Sequence, residues 1–134
     1  GKESKMLNKK VSIVILTWNG IEYTKLCMNS LKDTVKDPNI NVYVVDNGST
    51  DETLEYLDRL DWIHVIKNNE NLGFVRGNNV AINRIHEGDI LLLNNDIIIE
   101  QEDWVDPLPR TYYFDRVCWP FSSYCVVLQN HFGF

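Results

Sequence analysis

The chain has 134 residues, which is the size of one small domain. Hydrophobic residues make up 44% of it and charged residues 24%, a composition that excludes wholesale disorder. Nineteen acidic and thirteen basic residues give a net charge of −6, which argues against binding to nucleic acid or to an anionic membrane surface. Three cysteines without a C-x-x-C pair argue against a disulfide framework or a zinc site, so a reducing, cytoplasmic location is expected.

Neither the N-terminus nor the apolar runs predict a membrane segment. Residues 1–10 are basic but are not followed by the apolar core of a signal peptide, and we interpret them as an N-terminal extension or a cloning remnant. The longest aliphatic runs have four residues, far fewer than the roughly 20 that a bilayer-spanning helix needs. We therefore expect no membrane span in this chain.

Four short apolar runs rich in Val and Ile follow one another along the chain. They are continuous rather than alternating, which is typical of strands that are buried on both faces of a parallel sheet. The runs are residues 11–16, 42–45, 62–66 and 89–93.

The segments between these runs have helical character. Residues 21–35 place apolar side chains near one face, and the run ends before Asp37 and Pro38. Ser49 and Glu52 have the spacing of a capping box, which predicts that a second helix begins at Ser49. Residues 75–86 predict a third helix. The order β-α-β-α-β-α-β predicts an α/β fold with a doubly wound, mostly parallel sheet.

The pattern changes after Ile99, and we expect the α/β core to span residues 11–108. The acidic run from Glu100 to Asp106 could begin a further helix. Residues 109–134 form an aromatic tail in which neither the helix nor the strand period holds. We expect the sheet to be incomplete at its C-terminus, with this tail either foreign to the fold or the start of a truncated domain.

A polar cluster follows each of the four apolar runs. In an open parallel sheet the carboxyl ends of the strands meet at one edge, where ligands bind. Asn and Asp at strand ends also form Asx turns and helix caps, so a purely structural role for any one cluster stays open. The clusters are Thr17-Trp18-Asn19-Gly20, Asp46-Asn47-Gly48-Ser49-Thr50, residues 68–73, and Asn94-Asn95-Asp96.

The usual glycine-rich phosphate loops are missing from the sequence. An acidic protein can hold a diphosphate through a divalent cation that bridges a carboxylate and the phosphate oxygens, and Mg²⁺ or Mn²⁺ suits such an oxygen-rich site. Asp96, at the end of the last apolar run, is the best-placed metal ligand.

Four segments, in this order and spacing, resemble the sugar-donor half of a family 2 glycosyltransferase with the GT-A, Rossmann-like fold. They are VSIVILTWNG, VVDNGSTDET, NENLGFVRGNNVAI and GDILLLNND, and the resemblance covers about residues 10–108. It implies a nucleotide-diphosphate sugar of the UDP or dTDP type, a glycan or other hydroxyl acceptor, and inverting transfer assisted by Mn²⁺ or Mg²⁺. Residues 11–108 would then be the nucleotide-sugar-binding core.

The resemblance also implies roles for individual residues. Trp18 would stack on the base, Asp46 and Asn47 would contact base and ribose, and Asn94 would stand where the family has a ribose-binding Asp. For Arg76, a phosphate contact and a solvated helix face both stay open. The implied sugar-donor contacts are Thr17, Trp18, Asn19, Asp46, Asn47, Gly73, Arg76, Asn79, Asn94 and Asn95, with Asp96 as the metal ligand.

No catalytic residue is assigned, because the family places its base downstream of the metal motif and residues 109–134 do not resemble that region. We therefore expect the chain alone to be inactive in transfer. One alternative is a non-catalytic nucleotide-sugar-binding fragment that lacks the acceptor site and base. Another is a sugar-phosphate nucleotidyltransferase, although TWNG does not supply the glycine- and arginine-rich loop of that class.

Overall fold

The computed structural model of the protein describes residues 10–100, 104–105 and 125–128, the last four by their backbone alone. Helices and strands alternate along the first of these ranges, as the apolar runs predicted. The elements are β1 (Val11–Thr17), α1 (Ile21–Thr34), β2 (Ile40–Asp46), α2 (Thr53–Asp58), β3 (His64–Lys67), α3 (Gly73–Ile82), β4 (Asp89–Asn94) and β5 (Cys125–Leu128).

The strands form one parallel sheet in the order β3-β2-β1-β4-β5. From β1 the chain builds outward through β2 to β3, then returns to place β4 on the other side of β1. The direction of winding therefore reverses between β1 and β4, which is where open α/β sheets bind ligands. The α/β fold predicted from the sequence, with a parallel sheet of the Rossmann-like type, is confirmed.

Side chains of the central strands are buried on both faces of the sheet. Ile13 and Ile15 of β1 belong to an apolar cluster with Met28 and Leu31 of α1. Val14, between them, points to a second cluster that contains residues of α3. Burying one such side chain stabilises the fold by about 1.5–3 kcal/mol, and cover on both faces explains why the apolar runs are continuous.

The capping-box prediction for α2 is wrong. The helix begins at Thr53, four residues after Ser49, and it has no side-chain cap of its own at Glu52. The hydroxyl of Ser49 instead accepts a hydrogen bond from the backbone N–H of Asn19, 2.8 Å away in the loop after β1. The carboxylate of Asp51 accepts from the backbone N–H of Thr53 at 2.9 Å. The side chain of Ser49, which the local spacing predicted to cap α2, therefore joins the loop after β2 to the loop after β1.

A fifth strand lies within the tail for which the sequence predicted no element. Its backbone pairs in parallel with β4, from Ile90 opposite Cys125 to Leu93 opposite Leu128. Residues 1–9 and most of the predicted acidic helix and aromatic tail lie outside the described residues. Within the described part of the chain, no helix has the length and apolarity that crossing a membrane requires.

Candidate functional site

The loops that carry the predicted site residues leave the sheet at one edge. In the strand register Thr17 lies opposite Asp46, and Asp46 lies opposite Lys67. On the other side of β1, Leu16 lies opposite Asn94. The last residues of β1, β2, β3 and β4 therefore lie together along the carboxyl edge, and the loops that follow them begin there, as the sequence predicted.

A buried threonine ends β1, and an exposed tryptophan follows it. The hydroxyl of Thr17 is buried and lies 3.4 Å from both the carbonyl of Val45 and Oδ1 of Asp46. Trp18 is 54% exposed, although it follows a strand that is almost wholly buried. More than half of this residue is therefore open to solvent at the carboxyl edge of the sheet.

Asp46 is a buried carboxylate at the end of β2. It is 2% exposed, and its two oxygens accept hydrogen bonds from the hydroxyl of Thr17 and from the backbone N–H of Ser49 at 3.0 Å. A carboxylate has about four lone-pair positions, so these two bonds orient the group and leave it further acceptor capacity.

Asn47 connects the loop after β2 to the loop after β3. Its Nδ2 donates to Oδ1 of Asn71 at 3.0 Å and to the carbonyl of Gly73 at 3.3 Å. Its Oδ1 accepts from Nδ2 of Asn68 at 3.3 Å and from the backbone N–H of Leu72 at 3.0 Å. Both amide hydrogens and both lone pairs of this side chain are therefore used within the protein.

Three predicted residues of the third motif lie on α3. Gly73 begins the helix at φ 80°, and its N–H donates to Oδ1 of Asn71 at 2.8 Å. Arg76 is exposed and Asn79 half-buried, and their spacing of three places them on the same side of the helix. The Oδ1 atom of Asn79 is buried and has no hydrogen-bond partner among the described residues.

Gly77 was not predicted as a site residue, but it lies where α3 packs closely against the side chains of Leu16 and Asn47. A Cβ atom at this position would lie 2.8 Å from Cδ1 of Leu16 and 3.2 Å from Nδ2 of Asn47. An alanine at this position would therefore require the ends of the Leu16 and Asn47 side chains to move. A lone glycine inside a helical pattern was the sequence signal for this contact.

The segment after β4 is held against α1. Nδ2 of Asn94 donates to Oδ1 of Asp96 at 2.6 Å, and Nδ2 of Asn95 donates to the hydroxyl of Thr24 at 3.3 Å. The thiol of Cys27 lies 4.0 Å from the carbonyl of Asn94. Burial first, and then the charge of Asp96, raise the pKa of Cys27 to about 12, so its thiol stays protonated at neutral pH.

The carboxylates at the edge do not form a metal cage by themselves. Among residues 10–100 and 104–105, no three His, Cys, Asp or Glu side chains come together as a group that could hold a metal ion. Asp46 ends β2 and Asp96 follows β4, and these two strands lie on opposite sides of β1. This arrangement fits a cation that is held by one carboxylate and completed by water and substrate phosphates, which is how Mg²⁺ is commonly bound.

A parallel sheet that reverses its winding beside β1, with polar loops along its carboxyl edge, defines an open, doubly wound α/β domain of the kind that binds ligands at this edge. The sequence profile of Glycosyl transferase family 2 matches residues 12–117, and the chain belongs to this family. An uncharacterized glycosyltransferase of Haemophilus influenzae is 29% identical over 76 residues, which cover 54% of this chain and 23% of that protein.

Solved structures support the same assignment. Residues 1-349 of S. aureus TarS in complex with UDP have a TM-score of 0.63 and 28% identity to this chain, covering 69% of this chain and 29% of that TarS chain. The mannosyltransferase PcManGT of Pyrobaculum calidifontis, in complex with GDP-Man and Mn²⁺, has a TM-score of 0.64. It is 17% identical to this chain, and the match covers 76% of this chain and 33% of the PcManGT chain. This similarity supports the GT-A fold alone. The chain spans no more than a third of any of these three proteins.

Proposed function

We propose that the carboxyl edge of the sheet is the sugar-donor site of a glycosyltransferase and binds a nucleotide-diphosphate sugar of the UDP or dTDP type. The observation that carries the proposal is the position of Trp18 and Asp96, which follow the neighbouring strands β1 and β4 on the two sides of the switch point. The complexes of TarS with UDP and UDP-GlcNAc, at 27–28% identity, support a uridine nucleotide.

The nucleoside half of this site lies at β1 and β2. The exposed indole of Trp18 offers a stacking face, and stacking on one base contributes about 1–3 kcal/mol. The carboxylate of Asp46 keeps acceptor capacity for a base N–H or a ribose hydroxyl. Asn47 acts beside them through the loop that it holds, since its side chain already uses all of its hydrogen-bonding positions.

The diphosphate half lies toward β4 and α3. Asp96 would hold a divalent cation, Mn²⁺ or Mg²⁺, which supplies Lewis-acid stabilisation of the departing diphosphate when it is bound. Arg76 is exposed at the end of the first turn of α3, and its guanidinium can form charge-assisted hydrogen bonds to phosphate oxygens. Positive charge at this position offsets the net charge of −6, which otherwise repels the nucleotide.

The reaction proposed for the whole protein is inverting transfer to a glycan or another hydroxyl acceptor. A base removes the proton of the acceptor hydroxyl, whose oxygen attacks the anomeric carbon of the sugar. The bond from that carbon to the diphosphate breaks, and the nucleoside diphosphate leaves with the bonding electrons. The described residues supply the leaving-group half of this chemistry, and we assign none of them as the base.

Melting temperatures with and without ligand test the proposal. UDP or dTDP should raise the melting temperature, and should raise it more with Mn²⁺ or Mg²⁺ present. At one hundred times its Kd a ligand stabilises the native state by about 2.7 kcal/mol. No shift at millimolar concentration of either nucleotide would contradict the proposal.

Two matched pairs of variants separate the roles in the same assay. Trp18→Ala should weaken nucleotide binding with or without metal, whereas Tyr23→Ala, which removes an exposed aromatic ring from α1, should not. Asp96→Ala should remove only the metal-dependent part of the shift. Asp33→Ala, which removes the same charge near the C-terminal end of α1, is its control. Equal effects of Trp18→Ala and Asp96→Ala would refute the division of roles.

A further inference from the structure

The turn that carries Trp18 has an unusual backbone. Asn19 and Gly20 are both left-handed, with φ of 54° and 67°. Asn19 is the one non-glycine residue with positive φ among the described residues. Such a conformation costs most L-residues about 1–2 kcal/mol, and asparagine tolerates it better than most. The chain needs this turn because α1 begins immediately afterwards, at Ile21.

The side chain of Asn19 binds the backbone of the loop after β2. Its Oδ1 accepts hydrogen bonds from the backbone N–H groups of Thr50 at 2.7 Å and Asp51 at 3.2 Å. The hydroxyl of Thr50 lies 3.4 Å from the same oxygen. With these partners the acceptor capacity of the amide oxygen is filled, so this oxygen is not free to contact a ligand.

Side chains of the loop after β2 also accept hydrogen bonds from the backbone of the turn after β1. The hydroxyl of Ser49 accepts from the backbone N–H of Asn19 at 2.8 Å. Oδ2 of Asp51 accepts from the backbone N–H of Ile21 at 3.2 Å, which satisfies an otherwise unpaired donor at the start of α1. We call these reciprocal bonds the loop clamp; it consists of Asn19, Ile21, Ser49, Thr50 and Asp51.

The loop clamp connects the two nucleoside contacts. Trp18 is the residue before Asn19, and the backbone N–H of Ser49 donates to the carboxylate of Asp46 at 3.0 Å. A short path of bonds therefore runs from the indole through Asn19 and Ser49 to that carboxylate. Groups held this way before the ligand arrives lose less conformational entropy when it binds.

We propose that Asn19 is a positioning residue, which fixes Trp18 relative to Asp46 through the loop clamp and does not itself contact the nucleotide. The proposal rests on the proposed sugar-donor site. It assigns the asparagine of the TWNG segment a role in preorganising that site. The competing explanation is that Asn19 is needed only because it tolerates the left-handed turn.

Two substitutions separate these explanations. Asn19→Gly keeps the left-handed turn and deletes the acceptor, whereas Asn19→Asp keeps both the turn and an acceptor for Thr50 and Asp51. Ser49→Ala removes the other acceptor of the loop clamp and serves as a second variant if Asn19→Gly does not fold. Asn69→Gly, at an exposed position in the loop after β3, is the control.

The first measurement needs no nucleotide. The indole N–H resonance of Trp18, assigned by its loss in Trp18→Phe, reports the order of the ring through its heteronuclear NOE. We expect the NOE to fall in Asn19→Gly and Ser49→Ala and to match the parent protein in Asn19→Asp and Asn69→Gly. An unchanged NOE in Asn19→Gly and Ser49→Ala would overturn the proposal.

The second measurement is the affinity for UDP with Mn²⁺. Asn19→Gly should raise the Kd about tenfold, and Asn19→Asp should return it to within twofold of the parent. A lowered NOE with an unchanged Kd would also overturn the proposal, because the loop clamp would then not serve the nucleoside site. Failure of the parent protein to bind UDP would contradict the proposed function instead, while the NOE comparison would still decide whether Asn19 positions Trp18.

Discussion

The side-chain amide of Asn47 donates to Oδ1 of Asn71 at 3.0 Å and thereby joins the loops that follow β2 and β3. The same Oδ1 of Asn71 accepts the backbone N–H of Gly73, the first residue of α3. Asn47 thus fixes the start of the helix that carries Arg76. The resemblance places an acidic pair at positions 46 and 47, but the contacts made here require an amide at position 47, because two of its four bonds are donated.

Asn47→Asp should destabilise the protein even though it has nearly the same shape. A carboxylate cannot donate, so its second oxygen would face Oδ1 of Asn71 and the carbonyl of Gly73. Opposing acceptors without a donor at the buried side chain of residue 47 costs about 1–3 kcal/mol. Urea denaturation measures the loss, with Asn69→Asp as the same chemical change at an exposed position. Equal midpoints for the two variants would contradict the assigned role of Asn47.

Gly77→Ala should also destabilise the fold, against the helix-propensity trend. Alanine gains about 1 kcal/mol over glycine in a helix interior. The added Cβ would lie 2.8 Å from Cδ1 of Leu16 and 3.2 Å from Nδ2 of Asn47, and overpacking of this kind costs about 1–3 kcal/mol. We expect a net loss in thermal unfolding.

The double variant Gly77→Ala with Leu16→Ala tests whether the contact with Leu16 causes the loss of stability. Removing the leucine methyl groups makes room for the new Cβ, so the double variant should lose less stability than the sum of the single variants. Strict additivity of the two changes would show that the contact with Leu16 does not limit the approach of α3.

Cys27 should make the fold sensitive to alkaline pH. Burial and the charge of Asp96 raise the pKa of its thiol from an ordinary 9.0 to about 12 in the folded state. The folded protein therefore holds the proton more tightly than the unfolded chain does. This stabilisation is complete below pH 9.0 and is lost as the pH rises through 12.

Chemical denaturation of the parent protein and of Cys27→Ala across pH 8 to 11 tests whether the thiol makes the folded state less stable as the pH rises. The free-energy difference between them should be constant below about pH 9 and then shift against the parent by at most about 1.4 kcal/mol per pH unit. Parallel curves over the whole range would mean that the thiol titrates alike in the folded and unfolded chains.

The sequence by itself determined the strands β1 to β4, the helix α1 and the edge at which the polar loops meet. These features depend on short-range patterns, since an apolar run of four to six residues has few ways to be buried. Helix α1 ends at Thr34, close to the end that the Asp37-Pro38 pair predicted. Parallel pairing of such strands then places their carboxyl ends together, whatever the order of the strands in the sheet.

Only the tertiary structure decided which partners the polar side chains take. Asn19 bonds to residues 31 and 32 positions away, and Asn47 bonds to Asn71, 24 positions away. An asparagine at a strand end has the same local sequence whether it caps a helix, binds a ligand or joins two loops. The hydrogen-bond partner of such an asparagine depends on which loops lie side by side, and the order of the strands in the sheet determines which loops are neighbours.

This dependence on neighbours in the folded sheet also explains why the capping-box prediction for α2 was wrong and why the sequence did not predict the fifth strand. Ser49 has the local spacing of a cap, but the N–H of Asn19 comes within reach only after β1 and β2 pair. Residues 125–128 form a run too short to stand out in an aromatic tail, and their pairing depends on the open edge of β4. Hydrophobic patterning is a local property and can be read from sequence, whereas hydrogen-bond partners across loops are fixed by the packing of the whole sheet.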